Sequence, residues 1–151
     1  MADGYNIPDY GGYERQRGDI NYKYTNDAAN NAYGRFISQQ RGQRNLGDMS
    51  QQFGRAYPGQ KAQFGQRGLS GGGINSGTMQ QSMNRLVGDY GRNSQRRQQD
   101  MTQQTQQYDM NQQNLDQWRQ QALQDVETTK ANDIANAATN LQYWKQALGG
   151  I

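Results

Sequence analysis

Thirteen of the thirty residues from Gln95 to Gln124 are glutamine, and neither proline nor glycine interrupts them. A thin apolar line crosses the stretch: Met101, Tyr108, Leu115 and Ala122, each seven residues after the last. Glutamine is a fair helix former, and a seven-residue step returns to nearly the same helix face every two turns. The segment therefore predicts a long polar helix with one narrow apolar seam. Such a helix cannot build a core by itself, so it needs neighbours, which points to a part of an assembly more than to a self-contained enzyme.

The rest of the composition agrees. Ile, Leu, Val and Phe together number 18 of 151 residues, while Gln contributes 26 and Asn 14. That leaves little apolar area to offset the entropy of ordering the chain, so a sizeable private core is not expected. The net charge is only +3, unevenly placed: residues 1–97 carry thirteen Lys/Arg against seven Asp/Glu, and residues 98–151 carry three against six. A basic front half suits either a solvated surface or a salt-dependent contact with nucleic acid.

Several kinds of chemistry are excluded outright. Without cysteine there is no disulfide, thiolate metal site or thiol nucleophile, and without histidine the usual general base and commonest metal ligand are missing. Asp125 and Glu127 are two apart, so on a helix they point different ways; Asp109 and Asp116 share a face but read as solvated surface. The glycines from 68 to 77 lack the Gly-Lys-Ser/Thr ending of a phosphate loop. No enzymatic activity, catalytic residue, metal or cofactor is expected. Nor does the sequence show a signal peptide or a run of 18 apolar residues able to span a membrane.

Along the chain, residues 1–24 hold five tyrosines among glycines and read as an extended N-terminal arm. Residues 25–54 read as short helical pieces: one at 26–40 with Tyr33, Phe36 and Ile37 on a stripe, weakened by Gly34 and ended by Gly42, then one carrying Leu46, Met49 and Phe53. Residues 55–77, with Pro58-Gly59 and Ser70-Gly71-Gly72-Gly73, read as a glycine-rich joint. Residues 78–148 read as a long glutamine-rich helical region, and 149–151 as a tail. Its apolar line changes register near 92–97 and again at 125–133, so the helix is expected to be broken or bent, or to change partners along its length, giving three contact zones.

The fold class expected is thus mostly α: a long, partly broken polar helix, shorter N-terminal helices and extended Gly/Tyr-rich arms. Candidate interface anchors are Tyr33, Phe36, Met83, Leu86, Tyr108, Leu115, Trp118, Leu141 and Trp144. Arg92, Arg96 and Arg97, clustered near Tyr90, are candidate nucleic-acid contacts through guanidinium and stacking interactions.

The run Gln66-Arg67-Gly68-Leu69-Ser70-Gly71-Gly72-Gly73-Ile74-Asn75-Ser76-Gly77, leading into a Gln/Arg/Asp helix with spaced single apolar residues, resembles small virion structural proteins of tailed bacteriophages. The resemblance covers residues 55–151 in style and transfers no catalytic residue. It implies a multimeric structural role at the portal, neck or tail, in a virion whose parts are made in the host cytoplasm. Its partners would be copies of itself and portal, adaptor or tail components. Two alternatives remain at this level, a nucleic-acid-binding accessory protein and an internal protein ejected with the genome.

Overall fold

A computed structural model describes residues 8–66 and 77–149. Two helices account for nearly all of them: α1 spans Tyr10–Gln66 and α2 spans Gly77–Gly149. Only Pro8 and Asp9 fall outside, and no strand occurs among the described residues. The mostly helical expectation holds, and three finer expectations fail.

The N-terminal arm is the first. From Tyr10 onward the chain is helical, and only residues 1–7 of the expected arm lie outside the described residues. Asp9 supplies the start, accepting a 2.9 Å hydrogen bond from the Gly12 N–H at its Oδ1, the usual work of an N-cap. Arg15 returns 3.2 Å to the same carboxylate. Two of the tyrosines that suggested an arm, Tyr13 and Tyr24, serve instead as rungs to α2, as set out below.

The second is the set of short N-terminal helices; helix also covers residues 55–66 of the expected joint, and residues 67–76 of it lie outside the described residues. α1 runs without interruption through Gly34, Gly42, Gly54 and Pro58-Gly59. Gly34 and Gly42 are sites of close helix approach and not stops. A methyl in place of the Gly34 hydrogen would lie 2.9 Å from Cε1 of Tyr108, and one at Gly42 would lie 2.5 Å from Cγ and Sδ of Met101. Pro58 stays inside the helix although it lacks the N–H that would bond the Gly54 carbonyl, a defect worth roughly 3 kcal/mol that neighbouring turns must offset. The Ser70-Gly71-Gly72-Gly73 run falls in residues 67–76, outside the described residues.

Third, α2 is one continuous helix and is not broken at 92–97 or 125–133. No proline and no glycine occurs between Gly91 and Gly149, so nothing in the backbone chemistry forces a stop. A shift in the apolar line changes what the helix packs on without ending it.

The chain divides into two units, residues 1–31 with 110–151, and residues 32–109. In each, a stretch of α1 lies antiparallel on a stretch of α2. Within the first unit Tyr13 bonds Asp133, Arg17 pairs with Glu127 at 3.3 Å, and Tyr24 bonds Asp116 at 2.6 Å, so rising numbers on α1 meet falling numbers on α2. Within the second, Arg35 meets Asp109 at 2.6 Å, Ser38 bonds Gln104, and Phe53 stacks on Tyr90 with ring centroids 4.3 Å apart.

Burial is slight. Among the described residues the buried apolar side chains are Tyr13, Met83 and Val126, and no large side chain is fully buried. The ion pairs do not compensate, since their side chains are 43–75% exposed and such pairs contribute about 0–1 kcal/mol each.

Candidate interaction surfaces

The seam of each helix pair is half apolar and half polar. In the first unit Leu115 and Ala122 from the seven-residue line are half-buried, and so are Gln112 and Arg119, with Val126 buried. In the second unit Met101 and Tyr108 are accompanied by half-buried Thr105. Each added residue follows one of the line by four, the complementary position of a heptad seam. Where a coiled coil would place a second apolar row, this chain places Thr105, Gln112, Arg119 and only then Val126.

These polar seam residues make the first unit's central node. Arg119 Nε donates to Asn21 Oδ1 at 3.0 Å, and its guanidinium lies 4.7 Å from the Tyr24 ring centre. Gln112 Nε2 donates to the Tyr24 hydroxyl at 3.3 Å and to Asp116 Oδ1 at 3.2 Å, while its Oε1 accepts from Asn31 at 3.4 Å. The Tyr24 hydroxyl donates to Asp116. One amide thus ties three partners, which defines register by geometry more than by hydrophobic gain.

The two tyrosine–carboxylate rungs show in acidity. The Tyr13 phenol is pushed up from 10.0 to about 12, first because its proton is held by the Asp133 carboxylate and then because of burial. Tyr24 is raised by its hydrogen bond to Asp116 and by burial, while Arg119 and Gln112 pull the other way.

Expected anchors fall in different settings. Met83 is buried and Leu86 half-buried. Tyr108 packs against Gly34, Leu115 lies in the seam, and half-buried Trp118 carries the Lys23 ammonium 4.8 Å over its ring. Tyr33 and Phe36 are exposed at 66% and 53%, and Leu141 and Trp144 are also exposed. Tyr22, Tyr143 and Leu148, which were not among the expected anchors, are exposed as well.

Of the basic candidates, Arg92 bonds Asp89 at 2.5 Å. Arg96 and Arg97 are exposed and form no ion pair with a described residue, but their cleft also holds Asp48 and Asp100. Among the described residues no group of three His, Cys, Asp or Glu could hold a metal ion, and no helix is long and apolar enough to cross a membrane.

Sequence reasoning missed the roles of Tyr13, Val126, Gly34 and Gly42. Val126 was findable, since it lies four after Ala122 in the heptad pattern. The two glycines carried no local signal, because a glycine that breaks a helix and one that admits a neighbouring side chain look alike until the partner is placed. No protein-family model, curated protein or solved structure matches the chain.

Proposed function

We propose that the chain is a non-enzymatic structural component of a tailed-phage virion, assembling as a multimer at the head-to-tail region or tail. One observation supports an assembly role above all: many large apolar side chains, Tyr33, Phe36, Tyr143 and Leu148 among them, are exposed, while only Tyr13, Met83 and Val126 are buried among the described residues. Exposed apolar side chains mark interaction sites where they join into a contiguous patch. Glutamine-rich flanks suit wet interfaces, where amides exchange bonds with water at little cost. The virion assignment rests on the resemblance of residues 55–151 to small phage structural proteins.

The partners would be portal, adaptor or tail proteins together with further copies of the chain. Mixing the purified chain with such proteins tests the reading directly. Co-sedimentation in fixed stoichiometry, with a gain in helical signal, is expected; no association with any of them would remove the virion assignment. The nucleic-acid alternative draws on Arg96 and Arg97, which form no ion pair with a described residue, and the acidic neighbours Asp48 and Asp100 weaken it.

A further inference from the structure

The fold sorts the charge of the chain by bringing its two ends into one unit. Residues 32–109 carry ten Lys/Arg against four Asp/Glu, a balance of +6, while residues 1–31 with 110–151 carry six against nine, a balance of −3. The contrast is sharpest along α1. From 10 to 31 its three cations are engaged inside the first unit: Arg15 with Asp9, Arg17 with Glu14 and Glu127, and Lys23 over the Trp118 ring. Asp19, exposed there, forms no ion pair with a described residue. From 41 to 61 the helix carries Arg41, Arg44, Arg55 and Lys61 against Asp48 alone, and those four are exposed without an ion pair to a described residue. Tyr22, Ala29 and Phe36, each seven after the last, share one exposed face of α1, apart from Tyr13, Tyr24 and Arg35, which bond α2.

We infer that this face of α1 docks antiparallel on the same face of a second copy, so that the acidic unit of each copy meets the basic unit of the other. The inference rests on the assembly reading and names one of its partners. Net charge selects the orientation, since a parallel pair would set the +6 unit on its like and the −3 unit on its like. α1 is one unbroken helix, so its residues 10–31 cannot turn back on its residues 41–61, and the complement comes from another chain. Centred between Ala32 and Tyr33, the register sets Phe36 of each copy on Ala29 of the other, a large side chain over a small one. Gly18 of each comes level with Gly47 of the other, and Gly11 with Gly54, so no side chain holds the backbones apart there. Asp19 of each lies within two positions, about 3 Å along the axis, of Arg44 of the other. Every contact occurs twice because the arrangement is two-fold. A face of three to four residues per two turns, from 11 to 54, engages roughly 20 residues a side, the number found in stable interfaces of standard size.

A side chain begun at Gly18 or Gly47 meets nothing within 4 Å, so cysteine at either leaves the chain's own packing intact, and the chain has no cysteine of its own. Gly18→Cys and Gly47→Cys chains are mixed at low salt and oxidised, with exposed Thr128→Cys as the collision control. Far-UV circular dichroism checks that each variant keeps its helicity. Antiparallel docking predicts disulfide between the two different variants, several-fold above the control, and little between identical ones. Adding Arg44→Asp to the Gly47→Cys chain should cut that excess several-fold, and adding Asp19→Arg to the Gly18→Cys chain should restore it. Preferential disulfide between two Gly18→Cys chains, as parallel docking would give, overturns the inference. Cross-linking at the control level throughout overturns it too, and so does an excess indifferent to Arg44→Asp. Each of these results can coexist with binding to portal, adaptor or tail proteins, which separates failure of this site from failure of the assembly reading.

Discussion

Alanine at Gly42 and at Gly47 should change stability in opposite directions. Both residues lie within α1, where replacing glycine with alanine gains about 0.5–1 kcal/mol from reduced backbone freedom. At Gly47 nothing lies within 4 Å of the added methyl, so Gly47→Ala should realise that gain in full. At Gly42 the methyl would sit 2.5 Å from both Cγ and Sδ of Met101. Cγ lies near the root of that side chain, so rotating the terminal methyl does not relieve the clash, and Met101 must leave its place in the seam. Overpacking of this kind costs roughly 1–3 kcal/mol. The net for Gly42→Ala is then a destabilisation of about 0–2.5 kcal/mol, and the two variants should differ by at least about 1 kcal/mol. Urea titration followed at 222 nm on matched samples measures the difference in midpoint. A Gly42→Ala chain as stable as Gly47→Ala would refute the helix pairing itself, because isolated α1 has no reason to distinguish the two glycines. Gly34→Ala, whose methyl meets Tyr108 at 2.9 Å, provides a second reading of the same test.

Raising the pH should loosen the first unit. A folded-state phenol raised above its ordinary 10.0 contributes stability that is fully present below pH 10 and lost as pH climbs through about 12, so helicity should fall across that window. Tyr13→Phe, which has no proton to lose, should flatten the fall. Met83→Ala should cost about 2 kcal/mol, the low end for a core methionine, while Val87→Ala, 48% exposed, should stay within about 0.5 kcal/mol; urea midpoints compare them. On immobilised DNA at low salt the chain should not be retained, and retention that vanishes in an Arg96→Ala/Arg97→Ala chain would move the function to nucleic acid.

The helical class and the seven-residue line were legible because residues 95–124 combine helix-forming amides with a strict spacing and no breaker. Met101, Tyr108 and Leu115 accordingly lie in or beside the seam. Continuity was not legible. Gly34, Gly42 and Pro58 are local signals against helix, and tertiary contact or neighbouring turns override them at positions the sequence does not mark. Tyr13 and Tyr24 misled in the same way, since a tyrosine that drapes over a partner and one that bonds a carboxylate on the next helix have the same composition signal. The polar half of the seam was hidden because periodicity searches follow apolar residues, and Gln112 and Arg119 act through hydrogen bonds. Which outward side chains meet another protein is not a local property, so Tyr33, Phe36, Leu141 and Trp144 could be named as anchors but not assigned partners.

The central claim is that this chain is completed by neighbours. Sedimentation equilibrium and circular dichroism on the isolated chain, over a wide dilution series, test it most directly. The account predicts a broad, weakly cooperative melt at low concentration, with helicity and mass rising together as concentration increases or partners are added. A monomer that stays compact on dilution and melts in one sharp, concentration-independent transition would contradict it.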